Sequence, residues 1–424
     1  MRNKPAWIFN FIRTAIFAVL FITLGLVLGF RYASEGSLFG QKITLFENLA
    51  DKTKTSNLSN LINSSSKNTS VSMDTFWEVW QLLERDYLET DKIDESKMME
   101  GAISGMVTGL GDPYTMYLPP EDNSKAEEDL AGSFYGVGIE LAYIDGVVGI
   151  LAPLSGSPGE KAGLLAGDLI IHVKDEKTGL DEDTTGWTLD DAVKNIRGLK
   201  GTSVILSIYR KSDNSSQDIT VIRDEIIVKS VTLEFPEVNG KKVAHLKLSK
   251  FGERTLDEWN QAVSEIVSQK GQIAGLVLDL RNDPGGFFDV SIDVASDFIK
   301  SGVVVSQKSK YSTKNYNSTG KARLLGIPTV VLVNKGSASA SEIVAGALRD
   351  DAGIKLIGEK TFGKGTVQDR RELSNGGGLH VTVGRWLTPS GNWIHDDGLA
   401  VDVEVAQNYD TPDDEVLQKA VEQF

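Results

Sequence analysis

From about residue 231 onward the chain alternates short apolar runs with longer amphipathic ones, and this alternation constrains its fold more than any other feature. Residues 243–248 read as a strand, 255–267 as a helix anchored by Trp259, and 273–280 as a buried apolar strand. Residues 289–299 follow as helix, 329–333 as strand and 341–348 as helix. Such alternation predicts an α/β layer in which helices cover a sheet. The chain ends on a helix over 415–423, with Thr411 expected as N-cap and Pro412 at the first position.

Composition narrows the chemistry. The 424 residues carry a net charge of −15, from 59 acidic and 44 basic side chains. That balance argues against a nucleic-acid partner, because phosphate binding wants clustered Lys and Arg. There is no cysteine, which excludes disulfide scaffolds, thiolate metal sites and cysteine nucleophiles. His172, His245, His380 and His395 lie far apart, with no H-x-x-H pair, so no histidine-built zinc site is expected. No cofactor is expected either.

Residues 1–31 carry Arg2, Lys4, Arg13 and Arg31 and no acid, leaving 40 basic against 59 acidic residues elsewhere. Residues 14–30 are uncharged and almost wholly apolar. As a helix they reach about 26 Å, which the apolar stretch before them extends towards the roughly 30 Å hydrocarbon slab. A basic flank followed by an acidic body predicts a single-pass anchor in the cell membrane, with the rest of the chain extracytoplasmic or periplasmic. A cleaved signal peptide is the competing reading, and Phe30-Arg31-Tyr32-Ala33-Ser34 is a poor cut site for it.

Residues 53–72 are rich in Ser and Asn and read as a flexible spacer. Phe76, Trp80, Leu83 and Tyr87 then share one helical stripe, and Met99, Ile103, Met106 and Leu110 share another that Gly111-Asp112-Pro113 stops. A helical hairpin with both stripes facing a core is expected. From about 130 to 226 short strands are broken by glycine: Gly136-Val137-Gly138-Ile139 precedes one, and S-P-G-E-K-A-G-L (157–164) leads through Ala166-Gly167-Asp168 into another. Residues 189–196 have helical spacing and lead to a strand over 203–209.

This segment resembles a PDZ domain, chiefly through its S-P-x-x-x-A-G-L-x-x-G-D run. The resemblance implies that a glycine loop turns backbone N–H groups towards a peptide's terminal carboxylate while the peptide adds a strand to the sheet edge. Tyr135, Gly136, Val137, Gly138 and Ile139 are its expected peptide-binding residues. The acidic stretch 175–183 lacks the ligand spacing of a calcium loop and reads as a solvated hairpin tip.

Three loops in the α/β part follow apolar strands, where such folds usually place their sites. In Asp279-Leu280-Arg281-Asn282-Asp283-Pro284-Gly285-Gly286 the missing β-carbons let backbone N–H groups approach an oxyanion. In Asn334-Lys335-Gly336-Ser337-Ala338-Ser339-Ala340-Ser341-Glu342 a serine would sit at a helix N-terminus, where free N–H groups favour developing negative charge. Local reasoning nominates Ser337, Ser339 and Ser341 without choosing, and S-x-x-E from Ser339 to Glu342 also fits a plain capping box. The third loop, 358–366, nearly matches a phosphate loop. Gly365 nevertheless stands where a magnesium-binding hydroxyl is needed, and strands follow where a helix is required. Lys364, between two glycines in apolar surroundings, is instead suited to proton transfer, since desolvation disfavours its ammonium form. With no histidine suitably placed, a Ser–Lys pair is the available route to an activated serine, and Gln368 shares a strand face with Lys364.

Together these blocks resemble the carboxyl-terminal processing proteases, over about residues 74–424. The match includes G-A-I-S-G-M-V-T-G-L-G-D-P-Y-T-M-Y-L, N-D-P-G-G, G-S-A-S-A-S-E-I-V-A-G-A-L-R-D and G-E-K-T-F-G-K-G-T-V-Q. The resemblance implies Ser339 as nucleophile, Lys364 as general base, Gln368 as its orienter, and the N–H groups of Ala340 and Gly285 as oxyanion donors, with Gly286 as the alternative to Gly285. Asp283 departs from the family pattern, which usually has a neutral residue there, as does Leu399-Ala400-Val401 in place of an Ile-x-Pro type ending.

The expectation is thus a multidomain α/β (α+β) chain. It has an anchor over 1–31 as a transmembrane helix, a linker over 32–73 and a helical region over 74–128. A PDZ domain follows over 130–228, then a ClpP/crotonase-like α/β serine protease core over 229–405 and a terminal helix over 406–424. The expected partners are protein or peptide substrates held by their C-terminal tails, and the membrane. Oligomeric state is left open, with a homodimer through the terminal helices as candidate. The alternative function is a catalytically inactive PDZ-type binding module.

Overall fold

The computed structural model describes residues 71–212, 214–407, 411 and 413–424. The expected membrane anchor therefore lies outside the described residues, among which no helix is long and apolar enough to cross a membrane. The chain divides into two compact units, up to Ile93 and from Asp94 to Phe424.

In the first unit helix α1 (Asp74–Asp86) carries the aromatic stripe but no buried residue. Leu83 and Tyr87 are each 44% exposed. In the second unit α2 (Glu95–Thr108), capped by the Asp94 carboxylate, buries only Val107. The expected core-facing stripes are thus corrected: periodicity says which residues share a face, not that something covers it. Helix α3 (Pro120–Ala131) ends at Gly132, which adopts the left-handed conformation.

The next layer is an antiparallel sheet ordered Ile139–Ile144, Val147–Pro153, Leu169–Asp175, Ser203–Arg210, Ser215–Ile222, with Leu180–Asp183 paired to the third strand. The short helix α4 (Pro158–Lys161) and helix α5 (Leu189–Ile196) close its own apolar core around Ile150, Ile170, Val204 and Leu206. Thr188 and Asp191 form a reciprocal capping box that starts α5. Strand Ile139–Ile144 lies at the sheet edge. Asp175 corrects the reading of a wholly solvated acidic tip: it is buried and paired with buried Arg223 at 2.8 Å. A local run of acids cannot show that the compensating cation comes from 48 residues away.

The largest core surrounds a six-stranded sheet ordered Val231–Glu234, Ala244–Leu248, Leu276–Asp279, Thr329–Val333, Lys355–Gly358, Val403–Glu404, parallel after its first strand. Alternate strand residues serve opposite faces. Leu276, Leu278, Val331 and Val333 pack with helices α6 (Thr255–Ser268), α7 (Phe288–Ala295) and α8 (Ala340–Ala352). Val277, Val330, Leu332 and Ile357 pack instead with helix α9 (Glu415–Val421). Burial on both faces explains why these strands are continuous apolar runs. Asp414, not Thr411, caps α9, accepting from the Leu417 N–H at 2.9 Å. The Thr411 hydroxyl instead donates to Glu415 at 2.7 Å.

Strand order also places the chemistry. Leu276–Asp279, Thr329–Val333 and Lys355–Gly358 are neighbours, all parallel, so the three candidate loops emerge side by side at their carboxyl ends. A second sheet, in which Thr366–Glu372 pairs with Gly378–Leu387, carries Gln368 and His380.

Candidate active site

The three loops are tied to one another by polar contacts that the sequence separates widely. Asn282 and Asn334 exchange hydrogen bonds: the Asn282 N–H donates to Asn334 Oδ1 and Asn334 Nδ2 donates to Asn282 Oδ1, both at 2.9 Å. The Asp283 carbonyl accepts from the Ala338 N–H at 3.0 Å and the Ser341 hydroxyl at 2.9 Å. The third loop joins through the Phe362 N–H, which donates to the Ser337 carbonyl at 3.0 Å.

These contacts separate the three serines. Ser337 Oγ donates to the Leu280 carbonyl at 2.7 Å and accepts from the Asn334 N–H, and Ser341 Oγ is held by Asp283. Both are buried structural hydroxyls. Of the three, Ser339 alone lines a cavity, of about 310 Å³, and its Oγ is engaged by nothing beyond the backbone of its own capping box. Its φ of 55° and ψ of −113° present it at the start of α8 in a sparsely populated conformation.

Gly285, Ala340, Lys364 and Gln368 line the same cavity, with Phe287, Ile343 and Trp386 as apolar wall. Gly285 is required by space as well as by its φ of +97°. A β-carbon there would come within 2.8 Å of the Ala340 nitrogen and 2.9 Å of Ser339 Cβ. The Ala340 N–H, at the first turn of α8, meets no acceptor among the described residues. The Gly285 N–H is engaged: it donates to Asp283 Oδ1 at 2.8 Å. Asp283 Oδ2 is buried without a partner among the described residues. Burial pushes the Asp283 carboxyl up to about 7, against the Gly285 N–H and the Ser341 hydroxyl, which pull it down.

Lys364 is held by its backbone. Its carbonyl accepts from Trp386 Nε1 at 2.9 Å, and the next carbonyl, of Gly365, accepts from Trp393 Nε1 at 2.8 Å. Burial lowers the Lys364 pKa from the usual lysine value, while the negative charges of Asp112 and Glu342 oppose that shift. Its amine makes no hydrogen bond to Ser339 Oγ or to Gln368 among the described residues. Gln368 Nε2 donates instead to the hydroxyls of Thr366 and Thr382, at 2.9 and 3.1 Å.

Glu342 is the residue that sequence reasoning underrated. Its Oε2 accepts from the Ser339 N–H at 2.8 Å and the Lys364 N–H at 2.9 Å. Its Oε1 accepts from the Thr361 hydroxyl at 2.6 Å and the Gly363 N–H at 2.7 Å. Burial raises its pKa, and those four donors pull it back. The S-x-x-E signal was legible as a cap, and the carboxylate does reach the N-cap N–H. The same carboxylate also fills the third loop, where amides of the near-phosphate-loop would otherwise face an anion.

The expected peptide-binding segment lies elsewhere, at the edge of the PDZ-like sheet. Gly138, at φ +70°, could carry no β-carbon, which would approach Ser157 Cβ to 2.5 Å. The N–H groups of Val137 and Gly138 meet no acceptor among the described residues. Tyr135 lines a second cavity, of about 470 Å³, whose wall shares Leu130, Arg370 and His380 with the Ser339 cavity.

Comparison with known proteins agrees with this assembly. Residues 242–405 match peptidase family S41, 149–210 a PDZ domain, and 33–122 the N-terminal domain of the activating protease CtpB. The carboxy-terminal processing protease CtpA of Bacillus subtilis is 36% identical over 77% of this chain and 67% of its own length. CtpB of the same organism is 35% identical over 79% and 68%. A putative S41 protease from Bacteroides fragilis shares the fold at a TM-score of 0.51, with 17% identity over 81% of this chain and 95% of that one. The chain belongs to the S41 family of carboxy-terminal processing serine proteases. It joins that peptidase unit to a PDZ domain.

Proposed function

We propose that this chain cleaves exported proteins near their C-termini with a Ser339–Lys364 dyad. The neutral Lys364 amine takes the Ser339 proton as Oγ attacks the scissile carbonyl, and water then resolves the acyl-enzyme. Ala340 and Gly285 supply the oxyanion N–H groups, the second once it turns from Asp283. Gln368 orients the amine through its carbonyl oxygen. One observation carries this reading: Ser339 and Lys364 are fastened to a single buried carboxylate beside one cavity.

The PDZ domain takes an apolar C-terminal tail on strand Ile139–Ile144, with the terminal carboxylate at the Val137 and Gly138 N–H groups. The shared walls of the two cavities support passage of that tail towards Ser339. Residues 14–30 anchor the enzyme in the cell membrane with its catalytic part outside the cytoplasm.

The test is hydrolysis of an unfolded protein with an apolar C-terminus by the full chain and by Ser339→Ala and Lys364→Ala. Loss in both variants with binding of the tail retained is expected. Hydrolysis by Ser339→Ala refutes the dyad, and binding without hydrolysis by the unaltered chain leaves a binding module. Membrane fractionation with and without residues 1–31 tests the anchor.

A further inference from the structure

The Lys364 amine lies 5.2 Å from the centre of the Tyr114 ring, within the range of a cation–π contact. Tyr114 comes from outside the peptidase sheet, in the turn that follows α2. That turn is rigidly built. Asp112 accepts from the Tyr114 N–H at 3.0 Å and the Thr115 hydroxyl at 2.6 Å, and the Thr115 hydroxyl accepts from the Thr382 N–H at 3.0 Å. His395 meets the Tyr114 ring edge-on at 5.6 Å. The Tyr114 hydroxyl itself has no hydrogen-bond partner among the described residues, so the ring is what the structure uses.

We propose that Tyr114 is a positioning residue for the general base: its ring holds the protonated Lys364 side chain out of hydrogen bond with Ser339 and releases it when the amine loses its proton. This rests on the reading of Lys364 as the base. The ring's negative face attracts an ammonium and not a neutral amine, so deprotonation removes the hold. The released amine then accepts the Ser339 proton, and no other reactant is needed.

Other charges act on the same group. Asp112 from the turn and Glu342 from α8 favour the ammonium form, against desolvation. Arg370 and His380 face the amine from the second sheet, with His380 held below its usual pKa by burial and by the positive charges of Arg370 and Lys364. His395 and Asp396 stand behind Tyr114, and the Lys250–Asp129 pair closes the far side of the cavity. Removing the ring's quadrupole while keeping its shape leaves all of these in place. It should therefore lower the lysine's pKa and move the acidic limb of kcat/KM to lower pH.

The experiment measures kcat/KM against pH on an unfolded protein substrate for the full chain, Tyr114→Phe, and Tyr114 replaced by phenylalanines of increasing ring fluorination. Tyr114→Phe should leave the acidic limb in place, and full fluorination should shift it down by ~0.5 pH unit, in step with the loss of ring charge. A limb that stays fixed across the fluorinated series, with Lys364→Ala inactive, overturns the role of Tyr114 alone. Activity retained in Lys364→Ala overturns the base assignment and this inference with it.

Discussion

Ser339 and Lys364, 25 residues apart in the chain, donate their backbone N–H groups to the same oxygen, Glu342 Oε2, at 2.8 and 2.9 Å. The residue that caps α8 thereby fixes the lysine loop against it. Alignment of the proposed nucleophile and base becomes a property of one side chain.

Glu342→Gln tests that coupling. The amide nitrogen would face two of the four N–H or O–H donors, leaving them unsatisfied at about 1–3 kcal/mol each. Steady-state kinetics and thermal unfolding should show kcat reduced by roughly 100-fold with a lowered Tm. Unchanged kcat would show that the loops hold their positions without the carboxylate.

The serines should be separable by what each loses. Ser339→Ala removes only the cap hydroxyl of α8, at about 0.5–2 kcal/mol, so Tm should fall by a few °C at most while kcat falls by 10³-fold or more. Ser337→Ala removes a buried hydroxyl that both donates and accepts, at roughly 1–3 kcal/mol of stability. Parallel kinetics and calorimetry should show opposite profiles for the two variants.

Gly285→Ala should abolish activity. The new methyl would lie 2.8 Å from the Ala340 nitrogen, and the positive φ adds about 1–2 kcal/mol of strain. The turn must then move away from Ser339, which a structure of the variant would reveal. Retained kcat with the turn displaced would remove Gly285 from the proposed oxyanion site.

Asp283 gives a pH signature. Its folded-state pKa, near 7, exceeds that of an exposed Asp, so the unfolded chain releases this proton first. The stability it contributes is complete below about pH 4 and lost as pH rises towards 7, on the order of 1.4 kcal/mol per unit of elevation. Tm measured from pH 4 to 8 should fall further in the unaltered protein than in Asp283→Asn. Parallel curves would mean that the carboxyl titrates normally.

Much of this architecture could be read from the chain because its strands are apolar on both faces and its loops announce themselves with glycine. The strand Thr329–Val333 and the helix Leu189–Ile196 fall where periodicity places them. The helix stripes of Phe76 to Leu110 did not become core, because periodicity carries no information about a covering partner. The choice among three serines depends on acceptors at Leu280 and Asp283, more than 50 residues away. Glu342, Tyr114 and the Asp283–Gly285 contact were equally hidden. Glu342 and Tyr114 each act on a loop that only the fold brings beside them, whereas Asp283 and Gly285 share one turn whose shape no sequence pattern specifies.

The most direct test is covalent capture. A fluorophosphonate reacted with the full chain at neutral pH, followed by peptide mapping, should modify Ser339 alone and fail in Lys364→Ala. Modification at Ser337 or Ser341, or equal labelling of Lys364→Ala, would contradict the account.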